Sequence, residues 1–506
     1  MAASATASIT FCLILQVMLI SVHGKSPNIV FVLTDDQDVA LGGQTPMVKT
    51  KKLVGDQGII FNNMFVTSPL CCPSRSSIFT GKFVHNHGAQ NNSISGGCSS
   101  TKWQTTQETT AFPTHFSQQG YTSFFAGKYL NAYGLKPAGG VQHVPPGWDW
   151  WNGLVGNSVY YNYTLSINGT AQDHGQSYKS DYLTDLIHRQ AMGFLQEQDK
   201  DSKPFFMMMS TPACHGPFTP APQYSQNFSN LTAPRNGSFN KHGNNKHWLI
   251  EQAKTPMPND TIANIDNVFR NRWRTLLSVD DMVEDVVNTL DKKGLLDNTF
   301  VFFSSDNGFH LGQFSMPEDK RQFYDFDIRV PLMVRGPGVK AGQVRDEVVL
   351  NIDLAPTFIE LTGSKVPDDV DGLSLLQLLE KPTNKSDPTF RTKFLVEHDG
   401  ESKSEIPNCP QFKDQGLSVC SHHCVCEDST NNTYACVVET LRTQHYKYCQ
   451  MQDSANFVEV YDLVKDPAEL NNIVKSAAPS LISQFSADLA RMSECKGKDC
   501  RKLQKT

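Results

Sequence analysis

"NRWRTLLSVDDMVEDVVNTLDKKGLLDNTFVFFSSDNG", residues 271–308, carries two periodicities in one stretch. Up to residue 294 the apolar residues return every three or four positions, as in an amphipathic helix, and Gly294 supplies a stop. Then "TFVFFSS" runs apolar without a break, as a strand buried on both faces does, and ends in Asp306 and Asn307. A helix, a short turn, an apolar strand and then polar residues make the unit of an α/β sheet with parallel strands.

The same unit recurs along the chain. "NIVFVLTDD" (28–36) is an apolar run ending in carboxylates, "TPMVKTKKLVGDQG" (45–58) has helical character, and "IIFNNMFV" (59–66) reads as a strand. "YTSFFAGK" (121–128) is another short strand. "SDYLTDLIHRQAMGFLQEQ" (180–198) has helical spacing, and "PFFMMMSTPACH" (204–215) follows as a strand. The expected fold is α/β: a large, mostly parallel sheet sandwiched by helices. There is no internal repeat. The Asn-rich stretch at about 222–247 reads as a surface excursion or a substrate-facing loop.

Polar residues follow each apolar run. Asp35, Asp36 and Asp38 follow the first; Lys128, His215, and Asp306 with Asn307 follow three others. Alone, an Asp pair is usually a turn or a cap, and a single Lys or His is usually solvated. In open α/β sheets, however, ligands sit beyond the carboxyl ends of strands, so four such ends predict one site. Asp35, Asp36 and Asp306 repel one another unless a cation joins them. Oxygen donors without a His pair or a thiolate cage suit Ca²⁺ or Mg²⁺. Arg75, Lys128, His215 and Lys320 around such an ion describe a site for a sulfate or phosphate ester.

The net charge of −6 over 506 residues excludes a nucleic-acid binder by bulk electrostatics. Residues 1–24 read as a secretory signal peptide, and no later stretch is long and apolar enough to span a membrane. Sequons at Asn91, Asn162, Asn168, Asn227, Asn230, Asn236, Asn259, Asn384 and Asn431 are candidate glycan sites. The length predicts two domains, at 25–380 and 381–506. The second is expected to be a smaller α+β unit stapled by disulfides among Cys409, Cys420, Cys424, Cys426, Cys436, Cys449, Cys495 and Cys500. A zinc site in "CSHHCVCEDSTNNTYAC" is the lesser alternative. If Cys72 pairs with Cys98, then Cys71 and Cys214 are left over.

"SPLCCPSRSSIFTGK" (68–82) places adjacent cysteines at the start of a short helix, with Ser as a candidate cap and Pro suited to a first helical position. The Cys-x-Pro-Ser-Arg run, followed by Thr80-Gly81, resembles the signature of the formylglycine-dependent sulfatases. The resemblance extends over nearly the whole mature chain, through "LTDDQD", "FFAGKYLNAYG", "YYNYTLSING", "NKHWLIEQAKTPM", "SSDNGFHLGQFSMPEDKRQFYDFDIRVPLMVRGPG" and "CVCEDSTNNTYACV". It implies an alkaline-phosphatase-like sulfatase fold. It further implies that a formylglycine-generating enzyme oxidises Cys71 to Cα-formylglycine, the nucleophile, which also approaches the metal. One Ca²⁺ would be held by Asp35, Asp36, Asp306 and Asn307. Arg75 would hold the formylglycine, and Lys128, His215 and Lys320 would bind the ester.

Within the family, the resemblance points to hydrolysis of the 6-sulfate of N-acetylglucosamine in heparan and keratan sulfate, in a lysosomal or secreted setting. Rim residues chosen for the sugar are Lys246, His247, Trp248, His310, Glu397 and His398, with core packing the competing reading for Trp248. The family's Gly-Lys-x-His reads "GKYLN" here, with Leu130 at the His position and Asn131 beside it. His85 and His87 are the candidate substitutes; the alternative is that they shape the loop after the helix. A phosphatase or phosphodiesterase would use Ser or Thr and usually two metals with His ligands; Cys71 and the absence of paired His ligands argue against it. An endosulfatase would carry a long basic insertion, also lacking. An arylsulfatase and a catalytically silent glycan-binding homologue are the remaining readings, and a homodimer stays open.

Overall fold

The computed structural model describes residues 25–235, 237–380, 387, 389–401, 427, 429–441 and 444–505. The expected leader, Cys409, Cys420, Cys424, Cys426 and the sequons at Asn236 and Asn384 lie outside them. Among the described residues no helix is long and apolar enough to cross a membrane.

Ten strands form one sheet: β1 (Asn28–Thr34), β2 (Ile59–Phe65), β3 (Thr122–Lys128), β4 (Trp150–Leu154), β5 (Tyr163–Ile167), β6 (Thr170–His174), β7 (Phe205–Ser210), β8 (Thr299–Ser305), β9 (Arg329–Arg335) and β10 (Gln343–Leu350). Their order is β10-β2-β9-β8-β1-β7-β3-β4-β5-β6. The centre, from β8 through β4, is parallel. Antiparallel pairings lie outside it, where β9 joins β8 to β2 and where β5 and β6 form a hairpin. The sheet is therefore mixed. Five of its nine pairings among the described residues are parallel, β10 with β2 included, in line with the sequence reading of a mostly parallel sheet.

The continuous apolar runs are buried on both faces. Ile29, Phe31 and Leu33 of β1 pack in one core with α1 (Cys71–Thr80), α2 (Phe112–Gln118) and, nearer the C-terminus, the Leu354–Leu361 helix. Val30 and Val32 point the other way, into a second core with α3 (Leu183–Gln196) and α4 (Asn259–Lys292). That split follows from the two-residue period of a strand. Helix α4 begins at Asn259, earlier than its amphipathic run suggests, and Gly294 just beyond its end adopts φ +64°. Helix α1 also departs from expectation. Its N-cap is Leu70 with no side-chain capping bond, and Pro73 sits two residues into the helix.

A four-stranded antiparallel sheet follows: β11 (Lys393–His398), β12 (Tyr434–Leu441), β13 (Gln444–Met451) and β14 (Val458–Asp462), in that order, with the helix Pro479–Met492 against it. Cys436 and Cys449 are directly opposed on β12 and β13 and bonded, which removes Cys436 from any zinc set. Cys495 pairs with Cys500 and Cys72 with Cys98; Cys71 and Cys214 are free and buried. The two sheets share one core: Phe65 stacks on Phe394 at 5.1 Å, and the Glu397 amide donates to the Thr67 carbonyl at 2.8 Å. Asn91 is buried, and its Oδ1 accepts from the amide and hydroxyl of Ser93.

Candidate active site

Four neighbouring parallel strands, β8, β1, β7 and β3, end nearly flush. Thr34 lies opposite Ser305, Leu33 opposite Ser210, and Ser210 opposite Gly127. Whatever follows each strand therefore arrives at one edge. Asp35 and Asp36 leave β1, Asp306 and Asn307 leave β8, Lys128 closes β3, and His215 lies on the loop after β7. That loop is tied to the first by Asp35 N–H to Ala213 O (2.8 Å) and Cys214 N–H to Asp35 O (2.6 Å). Close approach of β3 to β7 depends on Gly127, at φ +110°, where a Cβ would lie 1.8 Å from Ser210 O. Helix α1 aims its first turn at the same place. Cys71 and Arg75, four residues apart, share a face.

All of these groups are buried except His215, which is partly exposed. Lys128 Nζ lies 2.7 Å from Asp35 Oδ2, and Lys320 Nζ 2.7 Å from Asp36 Oδ2. Arg75 donates through Nε to Asp306 Oδ2 (2.7 Å) and through Nη1 to Ser210 Oγ (2.8 Å) and Lys128 O (2.9 Å). Asn307 Nδ2 donates to Asp36 Oδ1 at 2.8 Å. Cys71 Sγ sits 3.7 Å from Asp35 Oδ1 and 3.9 Å from Asp36 Oδ1. His215 donates from Nδ1 to its neighbour's carbonyl, Gly216 O (2.7 Å), which leaves Nε2 unprotonated in the neutral ring, 3.9 Å from Asp36 Oδ2.

Lys128, Lys320 and Arg75 already give the three carboxylates counter-charges, so repulsion alone does not demand an ion. The balance is uneven, however. Burial opposes the charge on Asp35, yet Lys128, His215, Arg75 and Lys320 hold its carboxyl well below the usual range. Burial and the neighbouring Asp35 push Asp306 up to about 7 against the pull of Arg75. Burial pushes the Cys71 thiol up to about 12. The donor set fits a hard divalent cation on geometry. Oxygens of Asp35, Asp36 and Asp306 lie within 4.8 Å of one another, and Asn307 Oδ1 is buried with no hydrogen-bond partner.

The residues chosen for the sugar do not gather in the same way. Lys246 is buried. It donates to Tyr461 Oη (2.6 Å) and Glu469 O (2.7 Å) and lies over the rings of Phe314, Tyr324 and Tyr461. His247 and Trp248 both bond Asp453 Oδ2, at 2.9 and 3.1 Å. His310 is enclosed between Asp327 (3.0 Å) and Glu427 (3.2 Å). Glu397 pairs with His85 at 2.8 Å, and His85 also reaches Cys495 O. His87 accepts from the Ala89 amide at Nδ1 and so donates from Nε2 to Ser77 Oγ (3.1 Å). Both histidines hold the segment after α1, the plainer of their two readings. Leu130 is fully buried. His398 is buried with neither ring nitrogen bonded.

Several contributors gave no sequence signal. Ser158 donates to Asp35 Oδ2 and Ser74 to Asp306 O. Arg321, next to Lys320, bonds Asp319 and Glu401, and Glu401 accepts from Asn92, whose side chain accepts from the Cys72 amide. Arg272 on α4 reaches the Asp36 carbonyl at 2.7 Å. Only Arg272 had a readable clue, a cation inside an apolar helical stripe.

The sulfatase family profile matches residues 27–364, a span that holds the whole strand-edge cluster; the chain belongs to the sulfatase family, as a sulfuric ester hydrolase. It is 52% identical over 480 residues to the N-acetylglucosamine-6-sulfatase of Capra hircus, covering 94% of this chain and 85% of that protein. It is 51% identical over 480 residues to that of Homo sapiens, covering 94% and 86%. A solved structure of a protein in complex with its substrate D-glucosamine-2-N,6-O-disulfate matches with a TM-score of 0.74 at 25% identity, covering 95% of this chain and 99% of the other.

Proposed function

We propose that the chain hydrolyses the 6-sulfate ester of N-acetylglucosamine residues in heparan sulfate and keratan sulfate, in the lysosome or after secretion. The observation that carries the reading is the convergence of Cys71, Arg75, Lys128, His215 and Lys320 on the Asp35, Asp36, Asp306 and Asn307 cluster. Relatives that share about half of its residues carry the glucosamine-6-sulfatase name, and the matched complex holds a 6-O-sulfated glucosamine.

A formylglycine at position 71 supplies a hydrated aldehyde, with one oxygen to attack sulfur and a second through which sulfate is released. One Ca²⁺ would be held by Asp35, Asp36, Asp306, Asn307 and residue 71, supplying positive charge beside the ester oxygens. The chain's own groups do the rest. Lys128 and Lys320 each spend one donor on a carboxylate, and an ammonium has three, so both keep donors for sulfate oxygens. Arg75, anchored to Asp306, Ser210 and the Lys128 carbonyl, holds the first turn of α1 and so residue 71. Because His215 Nδ1–H is fixed on the Gly216 carbonyl, Nε2 is the ring atom that takes up a proton, and the imidazolium so formed gives that proton to the leaving sugar hydroxyl.

The test offers purified protein N-acetylglucosamine 6-sulfate and N-acetylgalactosamine 4-sulfate at acidic pH and compares kcat/KM. A pocket that bonds particular hydroxyls leaves polar groups unpaired with the wrong sugar, at about 1–3 kcal/mol each. Preference for the glucosamine sulfate is expected. Equal rates would refute the substrate while leaving the family untouched.

A further inference from the structure

Arg272 lies inside α4 and is 2% exposed. Its guanidinium meets all three loops that deliver the cluster. Nη2 donates to the Asp36 carbonyl (2.7 Å) and to Asp38 Oδ1 (2.8 Å) on the loop after β1. Nη1 approaches the Cys214 carbonyl at 3.5 Å, beside His215 on the loop after β7. The guanidinium also lies 4.1 Å above the ring of Phe309, two residues beyond Asn307 on the loop after β8.

The residue it holds is strained. Asp36 has φ +61°, a left-handed conformation that a side chain other than glycine adopts at a cost. That conformation lets one residue meet three neighbours at once. Its amide donates to Asp306 Oδ1 (3.0 Å), its Oδ1 accepts from Asn307 (2.8 Å), and its Oδ2 accepts from Lys320 (2.7 Å). Its carbonyl takes the Arg272 bond.

We propose that Arg272 is a positioning residue: it locks the backbone of Asp36 and the spacing of the three loops, and so sets how tightly the cluster binds its cation. The inference rests on the Ca²⁺ reading of that cluster. The rival account makes Arg272 only the ion-pair partner of Asp38. Lysine separates the two accounts, because it keeps the charge but not the planar fork that serves two oxygens and stacks on a ring.

The experiment strips full-length protein of Ca²⁺ with a chelator and titrates Ca²⁺ back by calorimetry, with Tb³⁺ luminescence as a second readout. Wild-type protein binds one ion. Arg272→Lys is expected to bind about 10–100-fold more weakly, the usual cost of losing a group that orients a metal ligand, and excess Ca²⁺ restores part of its kcat. Asp38→Asn, which leaves the bond to the Asp36 carbonyl in place, is expected to lose less affinity. Wild-type affinity in Arg272→Lys, or an equal loss in Asp38→Asn, overturns the proposal. If Arg272→Lys does not fold, Phe309→Leu carries the test: weaker binding supports the proposal and unchanged binding overturns it. Wild-type protein that binds no Ca²⁺ would instead overturn the reading of the cluster itself.

Discussion

Two buried charge clusters are finished differently. Where the second sheet meets the first, Lys246, Lys447, Glu459, Glu469 and Asp325 satisfy one another. Lys447 alone donates to Glu469 (2.7 Å), Asp325 (2.8 Å) and the Phe323 carbonyl (2.9 Å), which uses its three hydrogens. Glu459 takes the Tyr324 hydroxyl at 2.9 Å and the His247 amide at 2.7 Å. At the strand ends of the large sheet, Asn307 Oδ1 and Arg75 Nη2 are equally buried but have no hydrogen-bond partner. Both clusters set lysines against carboxylates. The completed network holds the fold together; the incomplete one has atoms in reserve for a ligand.

Breaking the incomplete cluster should affect chemistry far more than folding. Asp306→Ala removes a carboxylate from the proposed cation set and the anchor of Arg75 Nε. Turnover is expected to fall on the order of 10²–10³-fold or more. Added Ca²⁺ should raise the melting temperature of the wild type but not of the variant. A fully active Asp306→Ala protein would refute the cluster's role.

Breaking the completed cluster should do the reverse. Lys246→Met leaves Tyr461 and the Glu469 carbonyl without their cation, although the methionine can still pack among Phe314, Tyr324 and Tyr461. The expected loss is about 3 kcal/mol in denaturant unfolding, with kcat per folded molecule unchanged. A large fall in kcat at unaltered stability would place Lys246 with the chemistry and erase the contrast.

The smallest effect concerns the contact between the segment after α1 and the second sheet. Burial opposes charge on His85, but the Glu397 bond and charge, the Cys495 carbonyl and Asp371 together raise its pKa above 6.5. With a raised folded value, its contribution is complete below about 6.5 and is lost as pH climbs through the folded pKa. His85→Gln is therefore expected to destabilise the protein at pH 5 more than at pH 8, measured by thermal melts at both. An equal loss at both would show that the pair contributes nothing through charge.

How much of this was readable depended on where each residue's environment comes from. β1, β3, β7 and β8 announced themselves because strands buried on both faces must be apolar throughout, and polar residues can begin only where the strand stops. That same rule exposed Asp35, Lys128 and Asp306. β5 and β6 did not stand out, since edge and hairpin strands need no such run. Lys246 and His310 were chosen as rim residues because they lie in stretches that carry the family resemblance, which says nothing of burial. Their burial is created by Tyr461, Glu469 and Glu427, more than a hundred residues away in the chain. Arg272 shows in sequence only as a cation inside an apolar helical stripe; what it holds is not legible there, since its partners Asp36 and Cys214 come from other loops.

The central claim is that the buried cysteine beside the carboxylates is not a thiol in working protein. Protein made in a eukaryotic secretory pathway should be digested and the peptide containing residue 71 weighed, with and without thiol alkylation and a hydrazide probe. The account predicts an aldehyde mass at position 71, resistance to alkylation and capture by the hydrazide, while Cys214 alkylates once the protein is unfolded. Complete alkylation of Cys71 in preparations that still hydrolyse the sulfate ester would contradict it.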